Sequence, residues 1–85
     1  MIHRDPSLFR TLAMTPRALR PIAHATAEAI AAEVPHLPAP TDEPFVIPPG
    51  AWRWRRRIGA SSWWVVYSWV PETETLILRT VNELP

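Results

Sequence analysis

One short run of the chain, residues 52–57 with the sequence WRWRRR, has side chains suited to contact with a polyanion. Arginine binds phosphates, and tryptophan rings stack on unpaired bases. In an extended strand, alternation would place Arg53, Arg55 and Arg57 on one face as a short positive stripe. The formal net charge is only +1. That balance favours the alternative that these arginines pair with the acids of the turn 72–74 or with those of a partner.

The remaining polar residues do not form a recognisable catalytic set. Ser61 and Ser62 lie in a predicted turn without a G-x-S-x-G context, and the three histidines have no spacing typical of a general base. His24 and Glu28 are one helical turn apart, but no third metal ligand is evident and a solvated pair is favoured. The chain has no cysteine and no glycine-rich phosphate loop. We therefore expect no catalytic residues, no metal and no cofactor, which favours a non-enzymatic function.

Length and composition predict one small soluble domain, residues 1–85, that is not exported. A chain of 85 residues buries only about 60% of its unfolded surface, so a small fold without disulfides often depends on a partner subunit. No apolar run reaches the ~18 residues of a membrane span, and the N-terminus lacks a signal-peptide core. All nine basic residues are arginine, either through codon bias or because planar, stacking cations are needed.

Residues 1–34 are predicted to be helical. Asp5 followed by Pro6 is typical of an N-cap and first turn, and the Thr15-Pro16 pair repeats that signal. Pro21 would delay the regular part of the second helix until near residue 19, and Pro35 would end it. The apolar stripe of this helix comprises Leu19, Ile22, Ala23, Ala27, Ile30 and Val34.

Six of the eleven prolines fall in residues 35–50, which predicts a semi-rigid linker. A P-x-x-P signalling ligand is the alternative, although such spacing arises by chance in a proline-rich chain. Residues 51–81 have the aromatic and β-branched composition of three antiparallel strands, 51–58, 63–70 and 74–81, joined by turns.

The predicted second strand is apolar on both faces. Alternation puts Trp63, Val65, Tyr67 and Trp69 on one face and Trp64, Val66 and Val70 on the other. In the third strand Leu76 and Leu78 oppose Ile77, Arg79 and Val81. Because the helices can cover only one face, the other would meet a subunit, a partner protein or a ligand. The predicted partner-binding residues are Trp52, Trp54, Trp63, Trp64, Trp69, Arg53, Arg55 and Arg57. The alternative is that the tryptophans are ordinary core.

The C-terminal half, with the segments WRWRRRIG, WWVVYSWV and TLILRTV, resembles the sheet of RelE/ParE-type bacterial toxins. The matching positions are Gly50, Trp52, Arg53, Arg55, Gly59 and Tyr67. The resemblance implies a β-strand before the helices, and an antitoxin as partner. For a ribosome-dependent member it also implies mRNA cleavage, with arginines of the sheet at the phosphates.

The N-terminal half resembles the start of small head–tail connection proteins of long-tailed phages, of the tail-terminator and tail-completion types. The matching positions are Asp5, Pro6, Thr15, Pro16, Ala27, Glu28, Ile30 and Ala31. This resemblance implies a sheet after the helices and assembly into oligomeric rings.

Together these observations predict an α+β fold, with one or two N-terminal helices packed on a three-stranded antiparallel meander. The leading hypothesis is a non-enzymatic phage-derived assembly protein, a minor virion or head–tail connection subunit that forms homo-oligomers in the virion or host cytoplasm. The alternative is a RelE/ParE-like toxin or a degenerate relative, which would use Arg53, Arg55, Arg57 and Arg79 on RNA. A third option is a host-interaction protein that uses the tryptophan surface alone.

Overall fold

The computed structural model describes residues 1–45 and 53–85. Its strands are β1 (Ile2–Arg4), β2 (Glu43–Pro44), β3 (Trp54–Arg57), β4 (Trp63–Val70) and β5 (Thr75–Glu83). Its helices are α1 (Pro6–Met14) and α2 (Arg20–Ala32), with a 3-10 turn, Arg17–Leu19, between them. The strands form one sheet in the order β1-β5-β4-β3-β2, in which β1 is parallel to β5 and the other pairs are antiparallel.

The predicted α+β fold is confirmed, but the sheet has five strands rather than three and is mixed rather than wholly antiparallel. The predicted meander forms its centre as β3, β4 and β5. Strand β1 lies inside the stretch predicted to be helical, where the Asp5 amide continues the pairing by donating to the Leu78 carbonyl at 3.0 Å. Strand β2 lies inside the predicted linker and pairs Glu43 with Arg55. The end of that linker and the start of the predicted first strand, Trp52 included, lie outside the described residues.

The helix signals at Asp5 are confirmed. The Ser7 amide donates to the Asp5 carboxylate at 2.9 Å and caps α1, and Pro6 occupies the first turn, where its missing N–H has no partner to lose. After Thr15 the chain makes the 3-10 turn before α2 begins. Pro21 lies in the first turn of α2 and is accommodated for the same reason as Pro6.

Helix α1 packs against β5, and α2 packs against β4 and β5. Both helices cover one side of the sheet, which we call the inner face. The stripe predicted for α2 is correct at Ala23, Ala27 and Ile30, which are buried, but wrong at Ile22, which is 47% exposed. Two alanines with a single isoleucine let α2 approach the large side chains of β4 closely, and Ile22 falls beyond that contact.

The inner face carries the core. The predicted inner residues of β4 all lie there: Trp63, Val65, Tyr67 and Trp69. In β5, strict alternation would place Val81 opposite Leu78, but both residues are buried in this core. Val66 pairs with Thr80 while Tyr67 pairs with Leu78, so Arg79 is an extra residue on β5. Such a bulge reverses the alternation beyond it, which is why Val81 turns inward.

The other side of the sheet, which we call the outer face, has no helix against it in the part of the chain that is described. Its central strand is nevertheless buried, since Trp64 is 3% and Val66 is 2% exposed. The prediction that β4 is covered on both faces is therefore confirmed at Trp64 and Val66 but wrong at Val70, which is 38% exposed at the end of the strand. None of the helices within 1–45 and 53–85 is long and apolar enough to cross a membrane.

Candidate nucleic-acid interface

Two arginines of β3 project from the outer face. Arg55 pairs across the sheet with Val66 and Arg57 with Trp64, so all four residues share that face. The intervening residue, Arg56, points inward, as does Trp54, which packs against the core. The alternation predicted for this strand thus places Arg55 and Arg57 side by side on one surface.

The Trp64 ring holds both guanidinium groups. The Arg55 Cζ atom lies 4.1 Å from the ring centroid and the Arg57 Cζ atom lies 4.3 Å from it. Each contact is a cation–π interaction, worth about 0.5–2 kcal/mol depending on its exposure to water. The arginine side chains cover the ring, so the burial of Trp64 does not require a partner. The same contacts hold the two positively charged guanidinium groups close together on the outer face.

These two charges are only partly balanced. Arg55 Nη2 lies 3.5 Å from the Glu43 carboxylate, and Arg55 Nη1 donates to the backbone oxygen of Pro85 at 3.1 Å. Arg57 Nη1 donates to the Ser61 carbonyl at 2.7 Å, and among residues 1–45 and 53–85 no carboxylate lies within 4.0 Å of it. Glu43 is therefore the one side-chain carboxylate of residues 1–45 and 53–85 that contacts this pair, and Arg57, which contacts none, suits an anionic ligand.

A third arginine extends the positive surface. Arg79 Nε donates to the Ser68 hydroxyl at 3.1 Å, and its Nη1 is 3.9 Å from the Asp5 carboxylate. The acids predicted as partners of the stripe, Glu72 and Glu74, form no ion pair in the described part of the chain.

Most of the compensating acid lies elsewhere. Glu28 accepts both of its contacts from Arg4, at 3.0 and 3.1 Å, and Glu33 and Asp42 contact Arg56 on the inner side. Although the net charge of the whole chain is small, its charged side chains are therefore unevenly distributed over the two faces of the sheet. Arg55 and Arg57 on the outer face share the Glu43 carboxylate, whereas Arg56 on the inner side is bonded to two carboxylates.

The inner-face arginine forms a separate network with Asp42, Glu33 and Tyr67. Arg56 donates to Asp42 from Nε at 2.6 Å and from Nη2 at 2.9 Å, and to Glu33 at 2.7 and 2.8 Å. The Tyr67 hydroxyl also donates to Asp42. Burial and this hydrogen bond both raise the pKa of Tyr67, and the hydrogen bonds to Asp42 and Glu33 raise the pKa of Arg56.

For Asp42, burial acts to raise the pKa. Together, the hydrogen bonds from Arg56, Tyr67 and the Ala39 amide outweigh the effect of burial, and they hold the pKa of Asp42 below its usual value. The carboxylate is therefore kept charged, and the network ties the segment after α2 to the middle of the sheet.

The bond between Asp42 and Arg56 brings two further residues to the outer-face cluster of Arg55, Arg57 and Trp64. Directly after Asp42, Glu43 reaches Arg55, and the Phe45 ring lies 5.7 Å from the Arg55 Cζ atom. The Phe45 amide donates to the Arg53 carbonyl at 2.7 Å, which holds this segment along β3. Sequence reasoning missed Glu43, Phe45 and Asp42 because all three lie in the stretch predicted to be a linker.

The predicted site residues therefore divide between the two faces. Arg55, Arg57 and Trp64 come together on the outer face, and Arg53 lies partly buried directly before β3. Trp54 and Trp63 are partly buried against the inner core, Trp69 is 8% exposed within it, and Trp52 lies outside the described residues. In residues 1–45 and 53–85 no group of three His, Asp or Glu side chains is arranged to hold a metal.

Comparisons with protein-family models, with curated proteins and with solved structures give no match to this chain. What the geometry of the site offers is a pair of fixed guanidinium groups on a sheet face that no helix of residues 1–45 and 53–85 covers, and these groups can donate several hydrogen bonds to phosphate oxygens.

Proposed function

We propose that the outer face binds single-stranded RNA through its phosphates, as the sheet of a RelE/ParE-like toxin or of a degenerate relative. The observation that carries the proposal is the pair Arg55 and Arg57 on Trp64, with Glu43 as the one side-chain carboxylate that contacts them among the described residues. Successive phosphates of a single strand are close enough together for neighbouring arginines to contact them.

The order of the elements supports the same proposal. Strand β1 precedes the helices, as the resemblance implied, and it lies parallel to β5 at the edge of the sheet. Both helices pack on the inner face, so the arginines lie on a sheet surface that no helix within 1–45 and 53–85 covers. Arg79 would add a third phosphate contact from β5.

The proposal assigns binding, rather than cleavage, to this surface. Tyr67 matches a tyrosine of the family, but its hydroxyl donates to Asp42 on the inner face and its pKa is raised. A phenol held in that way does not exchange protons readily with a bound strand. The groups on the outer face are guanidinium donors and an indole ring, which bind and orient phosphates.

The test is fluorescence anisotropy of a labelled single-stranded RNA of about ten nucleotides, measured over a series of salt concentrations. For the double variant Arg55→Ala and Arg57→Ala we expect at least about tenfold weaker binding. The slope of log K against log salt should also fall in magnitude by about 1.4, because each phosphate contact contributes about 0.7 for a single strand. A wild-type protein that does not bind RNA, or a double variant with an unchanged slope, would refute the proposal.

The matched control is Arg17→Ala. It removes an exposed arginine of the 3-10 turn, which lies away from the sheet cluster, and so tests for a loss of charge alone. In a host cell, a toxin role further predicts that induced expression arrests growth and that Arg55→Ala abolishes the arrest.

A second candidate is the assembly role, with the chain as a homo-oligomeric phage-derived connection subunit. It is favoured by exposed apolar side chains on the helices, since Phe9 is 58%, Met14 is 79% and Ile22 is 47% exposed. Contact through these side chains would leave the buried Trp64 and Trp69 within the chain. Light scattering over a concentration series separates the candidates, because a stable ring-sized oligomer supports assembly and a monomer contradicts it.

A further inference from the structure

Two hydrogen-bond donors within the outer-face cluster are buried without an acceptor. Arg55 Nε and Trp64 Nε1 have no hydrogen-bond partner in the described part of the chain. More than nine-tenths of buried polar groups in folded proteins are satisfied, so two unsatisfied groups in one cluster call for a physical explanation. The two side chains are in direct contact, with the Arg55 guanidinium over the Trp64 ring.

The chemistry of the two atoms defines what is missing. An indole N–H and a guanidinium N–H can donate but cannot accept, so the absent group must be an acceptor. Arg57 also lies over the ring and contacts no side-chain carboxylate among residues 1–45 and 53–85, so its positive charge is available to an anion. An anion with at least two oxygens could accept from both donors, and a phosphodiester has two free oxygens.

Arg57 lies over the same indole ring as Arg55. Its side chain is exposed, and its hydrogen bond within the described chain is to the Ser61 carbonyl, in the turn between β3 and β4. That turn depends on Gly59, whose φ of +57° is favoured by glycine. An arriving oxyanion can replace the Ser61 carbonyl as the acceptor for Arg57 and draw the guanidinium away from the ring.

We infer that one phosphodiester of bound RNA accepts hydrogen bonds from Trp64 Nε1 and Arg55 Nε, so that Trp64 is a direct RNA ligand as well as a platform. The inference rests on the proposed function and goes beyond it, because it assigns a phosphate site to an indole that is buried in the free chain. Arg57 then contacts the same phosphate or the next one.

The test is Trp64→Phe, which removes the N–H and retains an aromatic ring beneath both arginines. RNA affinity in the anisotropy assay should fall about tenfold, because a hydrogen bond to a charged acceptor is lost. The salt slope should stay at the wild-type value, because no cation is removed. The control is Trp63→Phe, the same change on the inner face, which should leave affinity unchanged.

A second measurement does not depend on how the variant folds. In NMR spectra of the wild-type chain, the indole N–H signal of Trp64 should move downfield as RNA is added, and further than the indole signals of the other tryptophans. Unchanged affinity in a folded Trp64→Phe variant, or a Trp64 indole signal that does not move on RNA binding, would overturn the inference.

The outcomes separate the two proposals. Wild-type RNA binding that depends on Arg55 and Arg57 but not on Trp64 would overturn this inference and leave the proposed function standing. No wild-type RNA binding would overturn both. The same indole shift with an acidic peptide and not with RNA would identify a protein carboxylate as the acceptor and would also overturn the inference.

Discussion

Replacing Asp42 by asparagine tests whether the inner-face network supports the fold. The Asp42 side chain is fully buried, and it accepts hydrogen bonds from Arg56, Tyr67 and the Ala39 amide. An asparagine of the same shape keeps one carbonyl acceptor but removes the charge and one acceptor oxygen. In this variant the remaining carboxylate partner of the Arg56 guanidinium is Glu33, whose side chain is 38% exposed.

The expected loss of unfolding free energy follows from the burial of the Asp42–Arg56 ion pair. Breaking a buried ion pair by removing one partner costs about 3–5 kcal/mol. Because Glu33 remains bonded to Arg56, we expect the lower end, about 3 kcal/mol. For a domain of this size that loss corresponds to roughly 12–24 °C in Tm. It is also a large share of the total, since 85 residues give about 4–13 kcal/mol of stability.

Urea unfolding followed by tryptophan fluorescence measures the change. The matched control is Glu28→Gln, which removes a carboxylate that also binds an arginine through two contacts but is 48% exposed. An exposed pair of this kind contributes about 1 kcal/mol or less. Equal, small losses of stability in Asp42→Asn and Glu28→Gln would refute the reasoning, because they would show that burial adds nothing to the Arg56 network.

Two further predictions concern charge. Glu43→Gln removes the carboxylate next to Arg55 and should strengthen RNA binding about two- to fivefold in the anisotropy assay, given the usual worth of an exposed pair; weaker binding would contradict the view that Glu43 competes with phosphate. The lowered pKa of Asp42 means that its contribution to stability is present above its ordinary pKa of 3.8 and is lost as the pH falls below that value. Urea midpoints measured from about pH 5 down to about pH 2 should therefore fall less steeply in Asp42→Asn than in the wild type, and identical slopes would contradict the assignment.

Short-range patterns in the sequence were sufficient to predict the parts of the fold that depend on interactions between residues close in sequence. The Asp5 cap places α1, and the two-residue alternation places Arg55 and Arg57 on one face and Arg56 on the other. These features depend on capping chemistry and backbone pleating, which act over a few residues.

The added strands could not be predicted in that way. Strand β1 has three exposed residues with no alternating pattern, and it exists because Ile2 and Arg4 pair with the distant Leu76 and Leu78. Strand β2 has two residues, one of them Pro44, and depends equally on its pairing with β3. Both are edge strands, where few hydrogen bonds are made and proline is tolerated.

The Arg56 network left one readable signal in the sequence. A charged residue on the same face as Trp54 and Ile58 needs a buried partner, because an unpaired charge in a core is strongly unfavourable. The sequence does not say which acid supplies it, since Asp42 and Glu33 are separated from Arg56 by 14 and 23 residues. The outer-face cluster likewise joins residues distant in sequence, because Glu43 and Phe45 reach Arg55 through the pairing of their segment with β3.

The most direct test of the central claim is an NMR titration of the wild-type chain with single-stranded RNA, followed through its backbone amides. If the outer face binds RNA, the amides that shift should belong to β3, to the turn containing Ser61 and to Arg79, while those of α1 and α2 stay in place. Shifts confined to the helices, or none as RNA is added, would contradict the account.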